Sequence, residues 1–354
     1  MNFIDICSGI GGFRTGLERN GHNCVAFAEI DKFAIQSYKA IYDTENEVEL
    51  GDITTMDDSE WEQFKGNCDM IVGGTPCQSF STAGKRLGFE DTRGTVFFSY
   101  VNAIKQIQPK YFLFENVKGL ISHDKGNTIK VILKAFDEVG YDLDFEVFNS
   151  KYYDVPQNRE RIYIVGKRKD LSDKPFKPVS VGKKKIDSLK AWATCEVSYK
   201  QIHPTLQTEI TTQLVDVLED EVDEKFYLLE EKTKKLTSDI ALTSQREATQ
   251  AGEVNQGVVI GIGHHPFSKK IEFNGYGLIC PTLLAGDYKA PKTVLTNNSR
   301  IRKLTPLECW RLQGFTDEQF YKAKDSGVSN SQLYKQAGNA VTVNVVDAIV
   351  KELE

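Results

Sequence analysis

FIDICSGIGGFRTGLERNGHNCVAFAEID, residues 3–31, is the stretch that decides the fold. Residues 3–7 are a short apolar run that reads as a strand. Gly9, Gly11 and Gly12 follow as a turn, residues 13–19 open a helix, and residues 24–28 form a second strand. Glycines between a strand and a helix let the backbone approach a nucleotide-like ligand closely. The spacing is G-x-G-G, and Arg14 stands where the dinucleotide fingerprint has its third glycine. A nucleotide cofactor without a pyrophosphate fits this better than NAD does. Glu29 closes the second strand about where an acid would take ribose hydroxyls. Read alone, the stretch is also compatible with a structural turn that binds nothing.

The same alternation continues outward. A helix is expected over 32–41, and strands over 69–72, 111–114 and 161–165. Val96, Phe97, Tyr100, Val101, Ile104 and Ile107 recur at helical spacing. Strand and helix alternating in this way predicts an α/β fold, a mostly parallel sheet covered on both faces. The strand ending near Val72 is separated from the helix starting near Val96 by GGTPCQSFSTAGKRLGFEDTRGT, residues 73–95. Connections longer than about 12–15 residues are unusual in compact domains and are often functional.

Past residue 167 the regular alternation fades, and Lys183-Lys184-Lys185 reads as a solvated basic run. Residues 180–300 read as a separate irregular domain with β character, for example at 257–262 and 277–284. Regularity returns after Arg302, with 336–353 expected as a turn and a closing helix.

The chain has 354 residues, 40% hydrophobic and 27% charged, which predicts a sizeable core and argues against general disorder. No apolar run approaches the roughly 18 residues of a membrane span. The seven cysteines (7, 24, 68, 77, 195, 280 and 309) contain no C-x-x-C pair, so no metal is expected. A net charge of −6 counts weakly against a nucleic-acid partner, although a basic cleft can sit on an acidic protein.

Three clusters could carry chemistry. Cys77 follows a strand end and Pro76, and Glu115 ends the next strand. If those strands are neighbours, about 4.8 Å apart, a thiol and a carboxyl share one crevice. The bland alternative is a buried thiol and a helix-capping acid. Gln157, Asn158, Arg159, Glu160 and Arg161 precede an apolar strand, and two arginines at i and i+2 would face one side. Surface ion pairing is the competing reading.

Taken together, these segments resemble the DNA cytosine-5 methyltransferase family, especially bacterial and phage-borne enzymes of restriction–modification type. FIDICSGIGGF is similar to its cofactor-loop motif, EID (29–31) and GDIT (51–54) to the next two, and GGTPCQSFS (73–81) to the nucleophile motif. FENVKGL (114–120) resembles the catalytic-glutamate motif and QNRERIYIVG (157–166) the arginine motif. RKLTPLECWRLQGF (302–315) and QAGNAVTVNV (336–345) resemble the last two. All eight fall in the family's order.

The resemblance implies a Rossmann-like methyltransferase domain over 1–179 and 303–354, and a small β-rich target-recognition domain over 180–302. It implies methyl transfer from S-adenosyl-L-methionine, leaving S-adenosyl-L-homocysteine, to C5 of a flipped-out cytosine in a specific double-stranded DNA sequence. Cys77 is then the nucleophile and Glu115 the group at N3. Arg159 is the partner of both the cytosine O2 and Glu115, with Arg161 in support. The cofactor falls to Cys7, Gly9, Gly11, Gly12, Glu29, Ile30, Asp52, Ile53, Pro76, Val96 and Asn339, and DNA to Gln78, Ser81, Lys85, Arg86, Arg93 and Thr282.

Two positions depart from the family pattern. Cys7 stands where Phe packs near the adenine, which implies a looser contact, and Ala340 stands where Ser is common. The resemblance also implies a cytoplasmic monomer, in a bacterium or encoded by a phage, with a restriction endonuclease as its genetic companion. A tRNA methyltransferase shares the catalytic motifs but would be expected to carry an RNA-binding module. A non-catalytic DNA-binding regulator conflicts with the intact Cys77, Glu115 and Arg159. A Cys-dependent hydrolase conflicts with the contexts of His22 and His123, neither of which marks a base for Cys77.

Overall fold

The computed structural model describes residues 1–76, 96–171, 185–200, 209–229, 262–264, 271–273, 279–289, 291–295 and 300–353. The chain divides into two compact units. One comprises Met1–Phe148, Glu160–Leu206 and Val341–Glu354, and the other Asn149–Arg159 and Gln207–Ala340. These limits differ from the boundaries read from the sequence: 180–206 group with the first unit, and 149–159 and 303–340 with the second.

The first unit is built on a seven-stranded sheet. Its strands are β1 (Asn2–Ile6), β2 (Asn23–Ala28), β3 (Val48–Glu49), β4 (Met70–Gly73), β5 (Tyr111–Val117), β6 (Tyr141–Asn149) and, after the two-residue β7 (Gln157–Asn158) of the second unit, β8 (Glu160–Arg168). The order is β3-β2-β1-β4-β5-β8-β6. β1 pairs with β2 and β4 in parallel, and β4 with β5 in parallel through Val72↔Leu113 and Gly73↔Phe114. β8 runs antiparallel to β5. The expected mostly parallel α/β sheet is thus present, and the strands of Cys77's motif and of Glu115 are neighbours.

Near-continuous apolar strands such as Phe112–Phe114 and Ile162–Val165 are buried because helices cover the sheet. α4 (Val96–Ile107), following α1 (Gly12–Glu18), α2 (Lys32–Ile41) and α3 (Asp58–Glu62), places Phe97 and Tyr100 against Phe114, with ring centroids 5.8 and 5.4 Å away. α5 (Asn127–Glu138) adds Phe136, 4.3 Å from Phe112. Gly166 leaves the space that the Phe112 ring fills: a Cβ there would lie 1.9 Å from it.

The chain's last helix, Val343–Val350, packs on α1. Close approach explains the glycines of α1. A Cβ on Gly12 would lie 2.7 Å from the Val341 carbonyl oxygen, and one on Gly16 would lie 2.7 Å from Val346. Gly12 of the cofactor motif therefore also serves packing against the end of the chain.

β1 carries an ionisable core group: Asp5 is fully buried, with the Tyr38 hydroxyl beside its carboxyl. Burial pushes its pKa up to about 8, with the nearby Arg14 opposing and Glu29 and Glu47 reinforcing the rise. The folded protein therefore holds this carboxyl protonated where the unfolded chain ionises it. Its stabilising contribution is complete below about pH 4 and is lost as pH rises towards 8. Asp5→Asn, which keeps the shape without the ionisation, should raise the urea midpoint at pH 7. It should also flatten the fall of stability between pH 5 and 7 by up to ~1.4 kcal/mol per pH unit. Parallel pH profiles for the two proteins would refute the assignment.

The second unit carries a four-stranded sheet of β9 (Ile262–His264), β10 (Ile271–Phe273), β12 (Thr293–Leu295) and β13 (Ile301–Lys303), in the order β10-β9-β12-β13 with every pairing antiparallel. β11 (Cys280–Pro281) pairs with β7. Helices Pro306–Arg311, Asp317–Asp325 and Asn330–Asn339 complete it. A bidentate pair, Arg302 to Glu308 at 2.6 and 2.8 Å, is buried at its centre, and Thr305 with Glu308 forms a capping box. Residues 336–339 are the end of a helix, not the turn expected, because Ser329 caps that helix and carries it through Asn339.

Candidate active site

The turn after β1 is forced into left-handed backbone at Cys7 (φ 54°), Gly9 (φ 56°) and Gly11 (φ 80°). A thiol at the first of these is uncommon for a side-chain-bearing residue. At Gly11 a side chain is also excluded by the Tyr42 ring, 2.4 Å from where a Cβ would be. Gly9, by contrast, faces open space. The Glu29 carboxylate binds this turn to the end of β2. Its Oε2 accepts from Gly9 N (2.8 Å), and its Oε1 accepts from Ile30 N (2.8 Å) and Asp31 N (2.9 Å).

Ile30 is 73% exposed, a large apolar face directly beside that acid. Asp52 is exposed, and the Thr54 hydroxyl and N–H hold its carboxyl below the usual range. Ile53 beside it is buried. Burial, with Glu29, Asp5 and Asp52 close by, pushes the Cys7 thiol up to about 12, so it stays neutral. Open space over Gly9, an apolar face and two acids form a set that fits an adenosine moiety. Pro76 is exposed and Val96 half-buried at the start of α4, while Asn339 is exposed in the second unit.

Glu115 does not end its strand. β5 runs on to Val117 because β8 pairs along its full length, placing Glu115 opposite Tyr163 and Val117 opposite Arg161. Arg161 Nε lies 3.1 Å from Glu115 Oε1, and both side chains are largely buried. Arg161, given a supporting role from the sequence, thus pairs with Glu115 within this unit. Arg159 precedes β8 and belongs to the second unit.

The chain approaching position 77 is fixed on the same acid. A Cβ on Gly74 would lie 3.0 Å from Glu115 Oε2 and 3.1 Å from Glu115 O, and Asn116 Nδ2 donates to Thr75 O at 2.9 Å. Cys77 itself, with Gln78, Ser81, Lys85, Arg86 and Arg93, lies outside the described residues.

In the second unit Arg159 is buried, donating to Leu283 O (2.9 Å), Ala340 O (2.8 Å) and Gly338 O (3.3 Å). Gln157 Oε1 accepts from Leu283 N (2.9 Å) while its Nε2 donates to Leu312 O (2.6 Å), and Thr282 Oγ1 donates to Asn158 O (2.5 Å). The Thr282-Leu283 step is thus clamped on three consecutive residues of the arginine motif. Sequence reasoning assigns neither Gln157 nor Asn116 a role. The only available signal was their place beside Arg159 and Glu115.

Such a sheet, with a glycine turn after its first strand and an acid after its second, defines a Rossmann-like fold. The chain belongs to the C-5 cytosine-specific DNA methylases, whose family model matches residues 1–354. Orphan methyltransferase M.SPRI of Bacillus phage SPR is 38% identical, over 100% of this chain and 97% of that protein. Type II methyltransferase M.HpaII of Haemophilus parainfluenzae is 35% identical, over 100% and 89%. A mutant of Spodoptera frugiperda DNMT2 shares the fold, with a TM-score of 0.61 at 20% identity, covering 99% of each chain. No helix among the described residues is long and apolar enough to cross a membrane.

Proposed function

We propose that the protein methylates C5 of a cytosine flipped out of a specific double-stranded DNA sequence, through a transient bond between Cys77 and C6. The observation that carries this reading is the close approach of Gly74 and Thr75, which precede Cys77 in the sequence, to Glu115 and Asn116.

The chemistry follows from the ring. Cytosine C5 is a poor nucleophile. Attack of the Cys77 thiolate on C6 moves an electron pair towards C5 and charge towards N3, where Glu115 shares a proton with it. Arg161 orients Glu115, and its charge favours the developing negative charge at the pyrimidine edge. Arg159 is in this reading the partner of the cytosine O2 and of Glu115, and its bonds to Leu283 O and Ala340 O hold it in place.

S-adenosyl-L-methionine supplies an electrophilic methyl group when bound, and Glu29, Ile30 and Asp52 would hold its ribose and adenine. Once C5 carries the methyl, a base takes the C5 proton and the Cys77–C6 bond breaks, returning the thiolate. Extruding the base costs a few kcal/mol of stacking and pairing, and closure of the 75–95 loop over it would offset that cost.

The first unit would carry catalysis and the second would read the sequence. The enzyme would act as a cytoplasmic monomer in a bacterium or a phage-infected cell, with a restriction endonuclease as genetic companion.

Duplex DNA carrying 5-fluorocytosine at the target tests the reading. Fluorine cannot leave as the proton does, so wild-type protein with cofactor should accumulate an adduct stable to denaturing electrophoresis. Methylation of ordinary DNA without such an adduct would remove the covalent route.

A further inference from the structure

Within the second unit, Lys151, Asn158, Ile279 and Pro281 line a cleft of about 300 Å³ beside Thr282. Neither Lys151 nor the Asn158 side chain has a part in the mechanism above. Among the described residues no carboxylate pairs with the Lys151 ammonium; it lies 4.9 Å from the centre of the Tyr152 ring. On a chain with 50 acids and 44 bases, a cation left unpaired in a cleft is a feature to be explained.

The orientation of Asn158 is set by its neighbours. Lys151 N donates to Asn149 Oδ1 (3.3 Å), so the Asn149 amide points its Nδ2 at Asn158 Oδ1 (2.7 Å). That accounts for the acceptor of Asn158 and leaves its Nδ2 as a donor. The backbone beneath is rigid: Pro281 pairs with Asn158 between β11 and β7, Cys280 N donates to Pro156 O (2.7 Å), and Thr282 holds Asn158 O.

We infer that this cleft takes a phosphodiester of the DNA backbone, with Lys151 Nζ and Asn158 Nδ2 donating to its non-bridging oxygens over a floor of Ile279 and Pro281. The polar side chains that the described residues bring to this cleft are a cation and a neutral donor, which suit a phosphate better than a base edge, with its mixed donors and acceptors. The inference rests on the DNA-methylation reading. It adds a strand-positioning contact next to the clamped Thr282-Leu283 step.

Duplex binding and methylation should be measured across a range of KCl concentrations for wild type, Lys151→Gln, Lys151→Arg and Asn158→Ala. Losing one phosphate cation should reduce the magnitude of the slope of log K against log[salt] by about 0.9 in Lys151→Gln. Affinity should fall several-fold at low salt, equally for cognate and unrelated duplexes, with kcat at saturating DNA near wild type. Lys151→Arg should keep the slope. Asn158→Ala should weaken binding with the slope unchanged.

An unchanged slope and affinity in Lys151→Gln would overturn the inference, as would a loss confined to the cognate sequence, which would make the cleft a base reader. Wild-type protein that neither binds nor methylates duplex DNA would instead overturn the parent reading.

Discussion

Cys77→Ala lowers the rate of methyl transfer to duplex DNA by about 10⁵-fold or more, the scale of losing a covalent nucleophile outright. Cofactor and duplex binding should persist, because Cys77 is not among the residues proposed to hold them. Cys7, in the cofactor loop, cannot substitute: burial and three nearby acids push it up to about 12, so almost none is thiolate at neutral pH. Cys77→Ser should rescue little, since a hydroxyl is a far weaker nucleophile than a thiolate near pH 7. Single-turnover transfer of labelled methyl to DNA measures this. Residual activity within tenfold of wild type would mean that the reaction does not pass through sulfur at 77.

The fold was legible because alternation and glycine placement are local signals. Residues 32–41 follow Asp31, which caps the helix they form, and the apolar runs at 24–28 and 111–114 became the strands they suggested. The eight ordered motifs carried the family. That the two arginines belong to different compact units was not legible. Spacing at i and i+2 predicts a shared face only if both lie on one strand, and the chain passes from one compact unit to the other between Arg159 and Glu160. Likewise, Glu115 as a strand terminus was a reasonable reading of where the apolar run stops. The strand continues because β8 supplies partners for Asn116 and Val117, which is tertiary information. Gly12 and Gly16 illustrate a third limit: a motif read as ligand-binding also answers to packing against Val341 and Val346, over 300 positions away.

Glu115→Gln should reduce kcat by about 10²–10⁴-fold, the usual worth of a positioned proton donor or acceptor, with KM for DNA little changed. Glutamine preserves the volume between Gly74 and Arg161 and can still accept from Arg161, so the loss isolates proton sharing at N3 from packing. Gly74→Ala separates the two in the opposite sense. The acid remains, but a methyl group 3.0 Å from its Oε2 and 3.1 Å from its carbonyl must push it or the 74–76 backbone aside. Displacements of that size can cost up to about 10²-fold when reacting groups must be aligned. A proton role for Glu115 therefore predicts that Glu115→Gln is the more damaging change and that the double variant is little worse than Glu115→Gln alone, since both act through one carboxyl. Additive losses would assign Gly74 an independent task. A Glu115→Gln enzyme with wild-type kcat would leave Arg161 guarding an acid that the reaction does not need.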